Sequence, residues 1–492
     1  MQIKTPLLPG IHLQTLRRKP RTAQQILAGR LAEIRRKTIG QLGEVFSKCL
    51  PVELLQPSRS GEHSRRRIFS KENTFWAFLG QVLNEDGSCQ EVVKKLQAYT
   101  ALRSMELPSA ATSAYCRARK KLSLDELKKI CRYSYQRLES LSGKGDYWGR
   151  RVVVVDGTGV SMPDTEDNQQ VWPQPGQQKK GCGFPLAKIL GCFSLRTGGL
   201  LSYEIGNKYQ HELPLLRKQY EVFEESDILL ADKAFCSYYD MAMLAKRSVD
   251  TVVTLARREP LSKAQADAKL GPDDYLIHWT KPKLATHQNF SQQQWDELPM
   301  KLPLRQIKVR IHHPGFRTRE FYLVTTLLDA DRYPPRELAE LYFHRWEVEL
   351  FFRDIKTTLG MDILRCKTPD MIHKEILMHF IAYNCVRRLM YEASQKSGKP
   401  VRQISFKGSI QALRSWEPHL NQEDISPRER SRLIRLLYDG ITQNTLLLRP
   451  GRSEPRAVKR RPKNYQLLTQ PRHEMQAIPH RNRYRKSNAN CA

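Results

Sequence analysis

Two aspartates each stand directly after a short apolar run. Asp156 follows Val152–Val155, and Asp232 follows the run DILLA at 227–231. Such runs predict buried β-strands, and ligands and metals gather at the carboxyl ends of strands in α/β sheets. Neighbouring carboxylates repel unless a cation lies between them, and their oxygens suit Mg²⁺ or Mn²⁺. The pair therefore predicts a divalent-metal site, whereas for either aspartate alone a turn or helix cap is the preferred interpretation.

A third carboxylate lies much further along the chain, in the run YFHRWEVELFFRDIK at 342–356. If this run is helical, four functional side chains fall within an arc of about 60° on one side of it: Tyr342, Arg345, Glu349 and Lys356. An exposed face with many ion pairs would show the same pattern. The apolar residues of this helix favour a half-buried wall beside a site: Leu341, Trp346, Leu350 and Ile355.

The elements that would position these residues predict a mixed α/β region. An antiparallel meander, followed by right-handed crossovers, gives a mixed sheet with helices on its faces. Strands are predicted at 152–155, 188–197, 200–205, 227–231 and 250–255, with helices at 211–223 and 241–247. His211 and Glu212, at the start of the first of these helices, are interpreted as caps rather than catalytic residues.

Further along, polar loops and short strands at 306–311 and 320–325 predict a β-rich insertion over about 257–335. A long helix is predicted from Arg336 to about Leu359, and a largely apolar core helix over 376–393.

Residues 1–145 predict a helical N-terminal domain that binds DNA. Apolar residues recur at helical spacing over 26–34 and after Ser70, and Ser123 with Glu126 fits a capping box. We expect the catalytic domain over 146–445. We expect a flexible basic tail over 446–492, because residues 452–492 contain 11 Lys or Arg and two acids.

Charge and composition narrow the class of protein. The 492 residues include 82 Lys and Arg against 51 Asp and Glu, a formal net charge of +31. This excess favours a polyanionic partner, because Lys and Arg contacts to phosphates release counterions; a charge that only serves solubility is the alternative. The ten cysteines lack zinc or redox spacing and predict reduced thiols. No signal-like or membrane-spanning stretch is found, so we expect a cytoplasmic protein.

The spacing Tyr-x2-Arg-x3-Glu-x6-Lys resembles the signature of insertion-sequence DDE transposases of the "insertion sequence four" type. Tyr342, Arg345, Glu349 and Lys356 match it in full, and Trp346 follows the arginine as it often does there. The runs VVVVDGTGV and LLADKAF are similar to the family's first two acidic motifs, although many relatives have Asp-Arg-Gly where this chain has Asp-Lys-Ala. The strand order, insertion, helical N-terminal region and basic tail extend the resemblance over most of the chain.

The resemblance implies a ribonuclease-H-like core and a DNA transposase, which cleaves and rejoins element ends with two Mg²⁺ (or Mn²⁺) ions in a DNA recombination reaction. Asp156 would bridge the ions, with Asp232 and Glu349 each holding one. Five side chains would contact DNA: Tyr342, Arg345, Lys356, Trp279 and Trp346. Trp279 would stack on a base flipped from the element's end, with a place in the core as the alternative.

The implied partners are double-stranded DNA, as the element's terminal inverted repeats and the target, and a second copy of the chain in a homodimer on DNA. No membrane is expected, and DNA binding would associate the protein with the bacterial nucleoid. Two other functions remain open: a metal-dependent nuclease that cuts without joining, and an inactive DNA-binding protein derived from a transposase. The intact acidic triad argues against the inactive protein.

Overall fold

A computed structural model describes most of the chain. The described residues are 2–4, 12–14, 46, 49–55, 68–102, 107–143, 145–177, 179, 181–255, 266–283, 290–311, 320–420, 426–446, 470, 471 and 474. The helix predicted over 26–34 and nearly all of the predicted basic tail lie outside these residues.

The N-terminal part begins with a small hairpin, in which β1 (Gln2–Lys4) pairs antiparallel with β2 (His12–Gln14). The helical N-terminal region is confirmed, and the hairpin at its start was not predicted, because three-residue strands are too short to show a periodicity. Among the residues that the structure describes, a 3₁₀ helix (Val52–Leu55) is followed by four α-helices, namely α1 (Lys71–Leu83), α2 (Cys89–Leu102), α3 (Ser113–Lys120) and α4 (Leu124–Glu139).

Serine side chains begin two of these helices, as predicted. Ser70 accepts a hydrogen bond from the backbone N–H of Asn73, and Ser123 accepts one from that of Glu126. The Glu126 carboxylate does not complete the predicted capping box and instead pairs with Lys71 at 2.6 Å. This contact joins the start of α4 to the start of α1.

In the described part of the chain, nine strands form one sheet in the order β5-β4-β3-β6-β7-β11-β10-β9-β8. They are β3 (Val152–Ser161), β4 (Leu186–Ser194), β5 (Leu200–Asn207), β6 (Ile228–Leu230), β7 (Asp250–Thr254), β8 (Ala268–Gly271), β9 (Asp274–Thr280), β10 (Lys301–Arg310) and β11 (Glu320–Thr325). Strand β6 pairs parallel with β3 and β7, and the other pairs are antiparallel. The predicted mixed sheet is confirmed, and the core is ribonuclease-H-like.

The β-rich insertion extends the catalytic sheet. Strand β11 pairs with β7, placing Leu323 opposite Thr254, and β10, β9 and β8 follow outward. Inside it the buried Arg305 guanidinium donates to both oxygens of Asp274, at 2.8 and 2.6 Å, and to the Tyr333 carbonyl at 2.7 Å. Removing either charged partner would leave a buried, uncompensated charge. The insertion is therefore rigidly tied to the segment that leaves it.

Helices pack against this sheet in two hydrophobic clusters. They are α5 (Glu166–Val171), α6 (Glu212–Arg217), α7 (Tyr238–Lys246), α8 (Gln292–Asp296), α9 (Pro335–Phe343), α10 (Glu347–Arg353), α11 (Pro369–Ser397), α12 (Phe406–Leu420) and α13 (Pro427–Gln443). Helix α11 is longer than the predicted 376–393 and is buried along most of its length. No helix in the described ranges is long and apolar enough to cross a membrane.

One continuous core joins the N-terminal helices, the sheet and α11. Asn384 is central to it. Its Oδ1 accepts from the Leu200 N–H at 2.9 Å, and its Nδ2 donates to the Leu200 carbonyl at 3.1 Å and to the Ser134 hydroxyl at 3.2 Å. These bonds join α11, the first residue of β5, and α4. The cysteines of the described core are free thiols, as expected.

Replacing Asn384 by alanine should lower the free energy of unfolding by about 2–4 kcal/mol, because three buried polar groups lose their partner. Denaturant unfolding measures this difference. Gln395→Ala, on the exposed side of the same helix, is the matched control and should change the unfolding free energy by less than about 0.5 kcal/mol. Equal effects of the two substitutions would show that the Asn384 bonds do not hold the core together.

Candidate active site

The two predicted aspartates lie side by side at one edge of the sheet. Strands β3 and β6 pair in parallel with Val154 opposite Leu230, and the same register carried two residues further places Asp156 opposite Asp232. Strand β3 continues past its predicted end, paired with β4 as far as Ser161. Asp156 therefore lies within that strand, at the point where its pairing with β6 stops.

Each aspartate already accepts one backbone hydrogen bond. The Asp156 carboxylate accepts from the Gly157 N–H at 2.7 Å, and Asp232 accepts from the Ala234 N–H at 2.8 Å as the cap of a 3₁₀ turn over Lys233–Phe235. The cap interpretation of Asp232 is thus correct for one of its oxygens. The other oxygen, and the free lone pairs of Asp156, remain available to a ligand.

The electrostatic environment of Asp156 disfavours its charge. Burial raises its pKa from the ordinary 3.8 to about 6, with smaller upward contributions from Asp232 and Glu212. The hydrogen bond from Gly157 and the nearby Arg345 guanidinium act in the opposite direction. A cation at this edge would remove the repulsion between the carboxylates.

The segment expected to supply the third carboxylate is helical, but it is not one regular α-helix. Helix α9 passes into a 3₁₀ turn over His344–Trp346, then into α10, then into a π-helical turn over Asp354–Thr358. A 3₁₀ turn winds more tightly than an α-helix and a π turn less tightly. The predicted arc of about 60°, calculated for ideal α-helix geometry, is therefore wrong in detail.

The segment still directs three of its predicted side chains toward the sheet. Tyr342 hydrogen-bonds the Thr254 hydroxyl at the end of β7, at 3.0 Å, and burial raises the tyrosine's pKa. The Lys356 ammonium donates to the Thr158 hydroxyl on β3 at 3.1 Å. The two ends of the segment are thereby fixed to the two strands that flank β6.

Arg345 links the third carboxylate to the aspartates. Arg345 is 9% exposed, and its guanidinium contacts the Glu349 carboxylate at 3.4 Å. Its positive charge also lowers the pKa of Asp156. The Glu349 side chain is 58% exposed. One guanidinium is thus the shared neighbour of the strand carboxylate and the helix carboxylate.

The two predicted tryptophans differ in their surroundings. Trp346 is 37% exposed, stacks on Phe343 with ring centroids 5.9 Å apart, and carries the Arg345 guanidinium 5.0 Å above its ring. Trp279 lies on β9 opposite Leu302 and packs, partly buried, against the second hydrophobic core. Its position supports the core alternative, whereas Trp346 presents an aromatic surface beside the site.

Within the described ranges, no three His, Cys, Asp or Glu side chains are grouped closely enough to hold a metal ion. The donor set nevertheless fits a hard divalent cation, because the aligned groups are carboxylates, whose oxygens are hard ligands. At present the Arg345 guanidinium lies where positive charge is needed.

One further carboxylate, at the start of a helix, lies close to the strand that carries Asp156. Glu212, interpreted as a cap, is the first residue of α6, and its carboxylate occupies the space that a Cβ at Gly157 would need. The available signal was Gly157 itself, because a glycine inside a strand often marks the close approach of another group.

Comparisons with known proteins identify the family of this chain. A profile of the transposase DDE domain matches residues 147–385, and a profile of the insertion element 4 transposase N-terminal region matches residues 36–132. The chain belongs to the insertion-sequence-four type of DDE transposases. The transposase InsG for insertion sequence element IS4 of Escherichia coli (strain K12) is 26% identical over 434 residues, which are 86% of this chain and 91% of that protein.

Two further similarities are shorter or more remote. A probable transposase for insertion sequence element IS5377 of Geobacillus stearothermophilus is 31% identical over 88 residues, 18% of this chain and 22% of that protein. The piggyBac transposase in its synaptic complex with hairpin DNA aligns over 84% of each chain, with 12% identity and a TM-score of 0.38. The present DDE transposase is an enzyme of insertion-element transposition, and its DDE domain implies dependence on divalent metal ions and binding to DNA.

Because folding raises the pKa of Asp156, the folded state binds more protons than the unfolded state between about pH 4 and 6, and Asp156 destabilises the fold above that window. In metal-free transposase at pH 7.5, Asp156→Asn should therefore melt about 2 °C higher than wild type. The difference should close as the pH falls to about 4.

Thermal melting across this pH range measures the effect. Asp362→Asn, at an exposed position, is the control and should follow wild type at every pH. A gap between Asp156→Asn and wild type that does not change with pH would contradict the assignment.

Proposed function

We propose that Asp156, Asp232 and Glu349 hold two Mg²⁺ ions, and that this transposase uses them to cleave the ends of its element and join them to target DNA. The observation that carries the proposal is the parallel register of β3 and β6, which aligns two carboxylates at the edge that the Arg345–Glu349 pair overlies. Mn²⁺ would fit the same oxygen ligands.

Bound ions would supply an activated water or 3′-hydroxyl and would stabilise the leaving oxygen of the phosphodiester. Asp156, Asp232 and Glu349 would hold the ions, with Asp156 shared between them because it is aligned with Asp232 and has Arg345, the partner of Glu349, as a neighbour. Asp232 and Glu349 each complete one position. To bind the cation, the Glu349 carboxylate would give up its contact with Arg345.

The cationic side chains of the site then serve the DNA. Once Glu349 is withdrawn, Arg345 has free donors for a non-bridging phosphate oxygen, and Lys356 reaches the same edge from the β3 side. The Tyr342 hydroxyl, already fixed by Thr254, can donate to a phosphate. Contacts of this kind position the strand and carry no sequence information.

The partners follow from the reaction. Transposition acts on two ends, so we propose a homodimer assembled on the terminal inverted repeats, with target DNA as the second substrate. The net charge of +31 favours this polyanionic partner. We place the protein in the bacterial cytoplasm, on the nucleoid when it is bound to DNA. The division into domains at 1–145, 146–445 and 446–492 is part of the proposal.

Asp156→Asn, Asp232→Asn and Glu349→Gln should each lower both cleavage and strand transfer by about a thousand-fold or more, because each removes one charged ligand from a unit that acts together. Gel assays with labelled element ends, target plasmid and Mg²⁺ measure both steps. Glu340→Gln, an exposed carboxylate on α9, is the control and should keep wild-type rates.

Two results would contradict the proposal in different ways. Cleavage of element ends without any joined product, even from a pre-cut end, would support the nuclease. An Asp156→Asn protein that equals wild type in every DNA-processing assay would support the inactive derivative.

We also propose that Trp346 stacks on an unpaired base at the element's end. Trp346→Ala should weaken binding of an end with an unpaired terminal base by about ten-fold, since stacking on one base contributes about 1–3 kcal/mol. It should also reduce the quenching of 2-aminopurine placed at that base. Trp279→Phe is the matched aromatic control. If Trp279→Phe loses the quenching and Trp346→Ala keeps it, Trp279 is the residue that stacks on the base.

A further inference from the structure

Glu212 lies beside the first aspartate of the site. Among the atoms nearest to an ideal Cβ on Gly157, the first three are the Oε1, Cδ and Cγ atoms of Glu212. Gly157 directly follows Asp156 on β3. Any larger residue at 157 would push the Glu212 carboxylate aside, so the glycine makes room for that carboxylate next to Asp156.

The Glu212 position is fixed by the packing of α6. Leu215 and Leu216 on the same helix are 1% and 0% exposed, and both pack into the core beneath β4. One turn after Glu212, Arg217 donates to both oxygens of Asp240 on α7 at 2.8 Å. The helix therefore cannot swing Glu212 away from the strand without breaking a buried contact.

The Glu212 carboxylate is half-buried and lacks a compensating partner. Across the described ranges, no hydrogen bond or ion pair is made by its side chain, whereas its negative charge acts on Asp156. A capping role does not explain this arrangement, because the side chain lies over Gly157 of the neighbouring strand. A cation bound between two neighbouring carboxylates would be stabilised by both of them.

We propose that Glu212 is a fourth carboxylate of the active site and helps to hold the divalent cation at Asp156. The proposal rests on the proposed function of Asp156 as a metal ligand. It extends the site from one side of β3 to the other, since Asp232 and Glu349 approach Asp156 from β6 and the α9–α10 segment, and Glu212 from α6.

Binding of Mn²⁺ to the full-length transposase without DNA tests this, with free Mn²⁺ measured by electron paramagnetic resonance. Glu212→Gln should weaken Mn²⁺ binding by about ten-fold, and Asp156→Asn should abolish it. Glu225→Gln, which removes the same charge at an exposed position after α6, should bind as wild type does.

Melting of the metal-free proteins separates a ligand from a structural residue. Glu212→Gln should melt no lower than wild type, because it removes a repulsion. Weaker Mn²⁺ binding together with a lower melting temperature would assign Glu212 a structural role and overturn the proposal.

A double-mutant cycle tests the contact itself. Gly157→Ala should weaken Mn²⁺ binding by displacing the Glu212 carboxylate, and it should add nothing to Glu212→Ala, because the displaced group is then already absent. Fully additive losses would overturn the proposal.

The two levels of inference fail differently. If Asp156→Asn loses Mn²⁺ binding and Glu212→Gln keeps it, Glu212 is not a ligand and the proposed function stands. If Asp156→Asn binds Mn²⁺ like wild type, the proposed metal site fails, and the role of Glu212 fails with it.

Discussion

Repulsion between two carboxylates is the constraint on which the active site depends. The parallel pairing of β3 with β6 aligns Asp156 and Asp232, and the core beneath them removes Asp156 from water, so its pKa rises to about 6. Without a positive charge nearby, two neighbouring carboxylates would destabilise the folded protein. Arg345 relieves part of this repulsion in the metal-free protein and at the same time holds Glu349 at 3.4 Å. A positive charge therefore lies beside Asp156, and Glu349 is paired with it.

The rest of the sheet fixes the position of the α9–α10 segment, which carries Glu349. Between β7 and α9 the chain runs through the insertion, which would leave α9 loosely placed if it formed a separate unit. Because β11 returns to pair with β7, and Arg305 joins Asp274 to the Tyr333 carbonyl just before α9, the segment re-enters the site at a fixed point. The bonds of Tyr342 to Thr254 and of Lys356 to Thr158 then hold its two ends.

Local patterns in the sequence predicted most of this framework. Apolar runs marked the five core strands in their correct order, because strands that are buried on both faces of a sheet consist largely of continuous apolar residues. Spacing found Tyr342, Arg345, Glu349 and Lys356. The sequence could not show that the insertion continues the sheet, since pairing between β11 and β7 is a long-range property. Nor could it show the 3₁₀ and π turns or the approach of Glu212 to Gly157, which depend on how separate elements pack.

The central claim is that Asp156, Asp232 and Glu349 converge on a shared pair of divalent cations. The most direct measurement is anomalous diffraction at the manganese edge, from crystals of this transposase with an element end and Mn²⁺. Two manganese peaks that share Asp156 as a ligand are expected, with Glu349 released from Arg345 and turned to one of the ions. Manganese bound away from Asp156, or Glu349 still paired with Arg345 beside an occupied site, would contradict it.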